Sequence, residues 1–290
     1  MGKVFVPTAL QMHPVLAVLV AVLLAAAWPG AADAALPDGI AAGVFKVQAL
    51  SAHGHANFGS AVLVAPGKLA TNCHVTRYAH RIVVSRDGQS WTAQPGHADV
   101  TRDLCILSAA GVQGTVVSLD ADELHIGQPV TAVGYPDGGE LVASNGHVKA
   151  LYRYDGAEVI QGSAPFDQGA SGGGLLDGEG RLVGILTFKA RAGGAFHFAL
   201  PVQWLRQVLG GEQAGTLASA PAEPIPFWQR AGDAQPFFLR AAALEAKRNW
   251  RGLLALAWEW LRYEPHSAEP WLAVNKAQTH LESESAPASR

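Results

Sequence analysis

From Val44 to Leu200 the chain consists of short β-branched and apolar runs broken by turn residues, and no stretch of it keeps a long helical period. Val62-Leu63-Val64, Ile82-Val83-Val84 and Val183-Gly184-Ile185-Leu186 are representative runs. Asp87-Gly88, Asn145-Gly146 and Asp177-Gly178-Glu179-Gly180 supply tight-turn chemistry between them. This pattern predicts an all-β domain, and two antiparallel barrels fit its length. The full chain has 290 residues, 49% of them hydrophobic and 16% charged, enough apolar material for one full core and a smaller appendage.

The period changes after Pro201. Val202 to Leu209 has helical spacing and stops at Gly210-Gly211, as a closing helix does. Residues 212–226, rich in Ala, Pro, Ser and Thr, read as a linker. Beyond it Phe237, Ala241 and Leu244 form one apolar stripe, Trp250, Leu253, Leu254, Ala257 and Leu261 a second, and Trp271, Val274 and Leu281 a third. The stretch from Asn249-Trp250 to Pro270-Trp271 resembles the second helix of a tetratricopeptide repeat, its proline and the opening of the next repeat. Only about one and a half repeats are present, and solenoids need about three to bury their faces. The helices of this tail, residues 227–282, are therefore expected to pack on the preceding domain or on a protein partner; a plain helical hairpin is the alternative. Residues 283–290 are polar and expected to be disordered.

At the other end, Lys3 precedes an apolar run from Val15 to Trp28, then Pro29-Gly30 and the small tripeptide Ala32-Asp33-Ala34. Residues 1–34 read as a secretory signal peptide cleaved after Ala34. An uncleaved anchor is the competing reading, but about fourteen apolar residues fall short of the ~20 a spanning helix needs. The expected location is the bacterial periplasm or outside the cell, with no membrane span after processing. The net charge is −3 and no Lys/Arg block stands out, so nucleic acid is not an expected partner.

The chemistry lies in three segments: Thr71-Asn72-Cys73-His74-Val75, Arg102-Asp103-Leu104-Cys105 and Gly169-Ala170-Ser171-Gly172-Gly173. A serine hydroxyl is a weak nucleophile. Acyl transfer needs a histidine to take its proton and a buried acid to fix that histidine's tautomer. His74, Asp103 and Ser171 supply the set. The glycines around Ser171 suit a backbone that turns its own N–H groups toward a developing oxyanion. Taken alone the pentapeptide is also a plain turn or the Gly-x-Ser-x-Gly elbow of an α/β-hydrolase. The elbow requires a helix after the serine, with the acid and histidine further on. Here Gly174-Leu175-Leu176-Asp177-Gly178 suits a hairpin, and His197, His266 and His280 lack a fitting context.

The order His, Asp, Ser with these flanks resembles the trypsin-like serine proteases, and among them the HtrA (Deg) type. The resemblance runs from about Gly43 to about Leu209, through Phe58-Gly59-Ser60-Ala61, Leu119-Asp120-Ala121-Asp122, Val133-Gly134-Tyr135-Pro136 and Phe198-Ala199-Leu200-Pro201. It implies a mainly β domain over residues 38–211, made of two six-stranded antiparallel chymotrypsin-like barrels with the site in the cleft between them. By the same resemblance Ser171 is the nucleophile, His74 the general base and then acid, and Asp103 its orienting group, with the N–H groups of Gly169 and Ser171 as oxyanion donors. Pro165, Thr187, Phe188 and His197 fall near the primary specificity pocket. None of these four carries a fixed negative charge, so a preference for Lys or Arg is not expected. His197 shortens the pocket, accepts a polar or acidic side chain there, or faces solvent.

Ala170 occupies the place where digestive relatives carry an aspartate that engages a newly cut N-terminus. Activation by such a cut is therefore not expected. The only two cysteines, Cys73 and Cys105, flank His74 and Asp103. If those two residues meet, a disulfide closing a loop of about thirty residues would contribute ~3–4 kcal/mol; two buried thiols are the other reading. His53-Gly54-His55 lacks further ligands nearby, so a solvated loop is expected there, with no metal and no organic cofactor. The functional expectation is an exported serine endopeptidase acting on polypeptides. The alternative is a protease-like binding protein whose hydrolysis is vestigial and whose tail recruits a partner. The short helical tail does not match the PDZ domain that usually follows an HtrA protease.

Overall fold

The structure, a computed structural model, describes residues 39–191, 195–211, 215–216 and 224–285. The segment read as a signal peptide, most of the linker and residues 286–290 lie outside the described residues.

The first barrel is formed by β1 (Val44–Leu50), β2 (Ala56–Ala65), β3 (Lys68–Thr71), β4 (Arg81–Arg86), β5 (Gln89–Asp99) and β6 (Leu104–Ser108). The antiparallel order is β5-β4-β1-β2-β3-β6, and a β5–β6 pairing closes it. The one-turn helix α1 (Cys73–Thr76) follows β3. Alternation determines which face is buried: in β1, Phe45, Val47 and Ala49 enter the barrel core while Lys46 and Gln48 are only partly covered. At the β4–β5 turn Asp87 and Gly88 both take positive φ (50° and 76°), the twist a tight antiparallel hairpin prefers.

The second barrel closes in the order β10-β11-β12-β9-β8-β7, from β7 (Pro129–Gly134), β8 (Val142–Tyr154), β9 (Ala157–Gly162), β10 (Gly174–Leu176), β11 (Leu182–Arg191) and β12 (Ala195–Pro201). One turn expectation is corrected here: Asn145-Gly146 runs inside β8, paired with Val130 and Thr131 of β7. The continuous ladder satisfies that backbone, so the local turn preference loses. α2 (Val202–Leu209) then leaves β12 and buries Trp204, Leu205 and Val208. Within the segment read as a linker, β13 (Gly215–Thr216) adds to the edge of β5.

Among the described residues three further α-helices follow: α3 (Phe237–Ala246), α4 (Trp250–Tyr263) and α5 (Ala268–Ser285). Asn249 caps α4, its side chain accepting the Gly252 N–H at 3.0 Å. Trp250, at the start of α4, stacks on His280, near the end of α5, at 3.9 Å, so the two helices are antiparallel. α5 runs three residues past the expected order–disorder boundary, through Ser285. Trp271, expected on an inner stripe, lies 48% exposed against Trp258; Ala273, Val274 and Ala277 are the residues that turn inward. The tail lies on the second barrel, where Phe238 stacks on Tyr152 at 4.7 Å. One apolar cluster joins Val44, Leu104, Ile185 and Phe198 of the two barrels to Trp204, Phe227 and Phe238. Among the described residues no helix is long and apolar enough to cross a membrane.

Candidate active site

β3 and β6 run side by side with Thr71 opposite Cys105, which brings the start of α1 against the turn between β5 and β6. Cys73 and Cys105 are joined there by a disulfide, with Cα atoms 5.0 Å apart. The Cys73 N–H (3.3 Å) and the Asn72 side-chain amide (3.0 Å) both donate to the Asp103 carbonyl. Asp103 sits in the left-handed region (φ 64°), a conformation aspartate tolerates better than most residues. Its carboxylate is fully buried and is oriented by its donors: Oδ1 accepts the His74 backbone N–H at 2.8 Å, and Oδ2 lies 2.7 Å from His74 Nδ1. Burial alone lowers the affinity of His74 for a proton. The charge of Asp103 and its hydrogen bond outweigh that, and the net result is a pKa raised above the ordinary 6.5.

Ser171 lies in the second barrel, in the loop between β9 and β10. Two contacts tie this loop to the first barrel: Ser60 N donates to the Ser171 carbonyl (2.7 Å) and Ser60 Oγ to the Gly169 carbonyl (2.9 Å). Gly169 (φ 91°) and Gly172 (φ 88°) hold conformations that disfavour side chains, and a Cβ at either would also lie within 2.5 Å of a neighbouring atom. The N–H groups of Ala170, Gly172 and Gly173 are bonded to Asp167, Leu186 and Ala170 carbonyls. Among the described residues no internal acceptor takes the N–H of Gly169 or of Ser171, which leaves those two amides for a ligand oxygen.

The Ser171 hydroxyl donates to the Thr187 carbonyl at 2.9 Å, so its one proton is not shared with the imidazole. A chain of side-chain and backbone hydrogen bonds nevertheless links the two halves of the site. Asn72 Nδ2 reaches both the Asp103 carbonyl and Thr187 Oγ1 (2.9 Å), and Thr187 holds Ser171.

The four residues expected near a specificity pocket differ in their surroundings. Thr187 is buried and bonded as described. Phe188 stacks on Phe198 at 4.7 Å. Pro165 is exposed. His197 does not face solvent: it is buried against Phe166, with ring centroids 4.9 Å apart, because β12 directs it under the 163–173 loop. His53 and His55 are exposed in the β1–β2 loop. Among the described residues no group of three or more His, Cys, Asp or Glu side chains could hold a metal.

Sequence reasoning missed Ser60, Asn72 and Trp228 as parts of this site. The Trp228 indole donates from Nε1 to Asp103 Oδ2 at 3.1 Å and stands edge-on to the His74 ring at 5.4 Å. Two aromatic residues directly after a Pro-rich linker, Phe227-Trp228, were the available sign of docking.

Residues 59–185 match the family model of the trypsin-like peptidase domain. The periplasmic pH-dependent serine endoprotease DegQ of Escherichia coli is 33% identical over 161 residues, covering 51% of this chain and 35% of its own length. The solved HtrA-type protease AlgW, bound to a tripeptide, is 30% identical with a TM-score of 0.55, over 59% of this chain and 60% of that one. The active form of the Rv3671c protease of M. tuberculosis superposes with a TM-score of 0.57 at 22% identity, over 61% of this chain and 83% of that one, a likeness of fold. The chain spans about a third of the length of the curated relatives it matches. Barrel order and these comparisons agree: the chain has a chymotrypsin-like fold of two six-stranded antiparallel barrels, and within it residues 59–185 are similar to trypsin-like peptidase domains and to HtrA-type proteases.

Proposed function

We propose that the protein is an exported serine endopeptidase with His74, Asp103 and Ser171 as its triad and the N–H groups of Gly169 and Ser171 as its oxyanion hole. The observation that carries the reading is the 2.7 Å contact between His74 Nδ1 and a fully buried Asp103 carboxylate, which Asn72 and Thr187 connect to Ser171. With Nδ1–H donated to Asp103, the imidazole keeps Nε2 unprotonated and able to accept a proton. Rotation of the Ser171 hydroxyl from the Thr187 carbonyl to Nε2 readies it for attack on a peptide carbonyl. The two free amides then stabilise the oxyanion, His74 returns the proton to the leaving amine, and water releases the acyl group by the same steps reversed. The absence of a fixed negative charge at Pro165, Thr187, Phe188 and His197 supports cleavage away from Lys and Arg. Export is supported by the reading of residues 1–34, by the cysteine pairing and by the periplasmic relatives.

A second reading has one observation in its favour: the Ser171 proton is given to Thr187. It is a protease-like binding protein whose tail recruits a partner. A fluorophosphonate probe separates the two. Chain beginning at Ala35 should be labelled, and Ser171→Ala should not be and should lose on the order of 10⁶-fold in kcat. Wild-type chain that stays unlabelled would favour the binding protein.

A further inference from the structure

We propose that Trp228, delivered by the C-terminal tail, is a positioning residue of the active site that holds Asp103 and tempers its pull on His74. The inference rests on the protease reading above. It starts from how the residue is placed. Phe227 is completely buried, with its ring 4.9 Å from Tyr154 and 5.9 Å from Trp204, and its N–H donates to the Thr101 carbonyl at 2.9 Å, two residues before Asp103. Trp228 is therefore attached to the segment that carries the acid. Its ring stacks on Phe188 at 5.0 Å and 16°, and Gln235 Nε2 donates to its carbonyl at 3.0 Å. Stacked and tethered in this way, the indole has little freedom, and its one polar atom meets the carboxylate oxygen that also faces His74 Nδ1.

The chemistry of that contact is specific. A buried carboxylate must be compensated by donors. Asp103 has three N–H groups: the His74 backbone, the His74 ring and the Trp228 indole. An indole N–H only donates, so it presents the same face to Oδ2 whether His74 is neutral or protonated. By sharing negative charge on Oδ2 it weakens the attraction for a proton on His74. Edge-on beside the imidazole, it also shields the Nδ1 to Oδ2 bond from water. The tail is thus part of the catalytic apparatus, at a point 125 residues along the chain from the acid it serves.

The test uses the processed full-length chain and Trp228→Phe, which keeps an aromatic ring and removes the N–H. With wild type labelled by fluorophosphonate, we expect Trp228→Phe to lower kcat by roughly tenfold with KM little changed. In a Ser171→Ala background, NMR titration of His74 should show its pKa rising by on the order of half a unit or more. Trp258→Phe, at an exposed pair on the outer face of the tail, is the control and should change neither. A folded Trp228→Phe with wild-type kcat and wild-type His74 titration would overturn the proposal while leaving the protease reading intact. Unlabelled wild type would remove the protease reading, and the NMR titration would still decide whether Trp228 acts on the pair. Should the variant not fold, the wild-type indole signal decides. A Trp228 Nε1 proton that follows the His74 titration supports the proposal; one that is exchange-exposed and insensitive to it overturns it.

Discussion

His74 and Asp103 meet twice: the carboxylate takes the ring Nδ1 on one oxygen at 2.7 Å and the backbone N–H of the same residue on the other at 2.8 Å. This double grip fixes both the position of the histidine's segment and the orientation of its ring. It also sets how proton affinity and geometry must change together when either residue is altered.

Because Asp103 raises the pKa of His74 above 6.5 despite burial, the acid limb of kcat/KM against pH should have its midpoint above 6.5. Asp103→Asn should move that midpoint down and lower kcat by about 10⁴-fold. A limb at the same pH in both proteins would count against the pairing. The same shift makes a stability statement. The His74–Asp103 pair contributes fully below pH 6.5, and its contribution is lost as pH rises through the raised pKa.

Cys73 and Cys105 close a loop with a sequence separation of 32. Replacing both with alanine should reduce unfolding stability by ~3–4 kcal/mol, read from urea denaturation without reductant. Dithiothreitol should weaken the wild type by a similar amount and leave the double variant unaffected. Equal midpoints for wild type and double variant would contradict the bridge.

At Gly172 a Cβ would sit 2.1 Å from the Ser60 carbonyl oxygen and 2.4 Å from Thr71 Oγ1, at a φ of 88°. Gly172→Ala must therefore push the Ser171 loop off the first barrel, and a shift of that kind should cost about 10²-fold in kcat/KM. Gly178→Ala, in open space at the β10–β11 turn, is the matched control and should retain wild-type turnover. Equal kinetics for the two variants would show that the loop position does not matter.

Arg102, 5% exposed, binds Asp155 at 2.7 Å and the Gln207 side chain at 2.6 Å, and lies over the Trp204 ring. It thereby joins the segment of Asp103 to the second barrel and α2. Arg102→Ala should lower stability by about 3 kcal/mol, the low end for breaking a buried pair because Asp155 is half exposed. Its chemical denaturation midpoint should drop clearly, and an unchanged midpoint would refute the role.

Much of this architecture is local and was readable as such. The short strand runs such as Ile82-Val83-Val84, the Asp87-Gly88 turn, α2 ending before Gly210 and the helical stripe of α4 each depend on neighbours a few residues away. The three catalytic candidates were legible because nucleophilic chemistry needs those residue types, and the glycines because the backbone around Ser171 takes positive φ. Where local preference met a competing tertiary demand, the tertiary demand won: Asn145-Gly146 became strand because β7 was available to pair with it. Between the readings of His197 no local signal could choose, and its burial against Phe166 removes only the solvent-facing one.

By itself the amino-acid order determined the β-then-α layout and which side chains can do acyl-transfer chemistry, since both follow from residue type and short-range period. Only tertiary structure decided that Asn72 spans Asp103 and Thr187, that Ser171 rests on the Thr187 carbonyl, and that Trp228 reaches Asp103 across 125 residues. Those contacts join distant segments, and the packing of two barrels and a tail, not any local preference, brings the partners within hydrogen-bond distance.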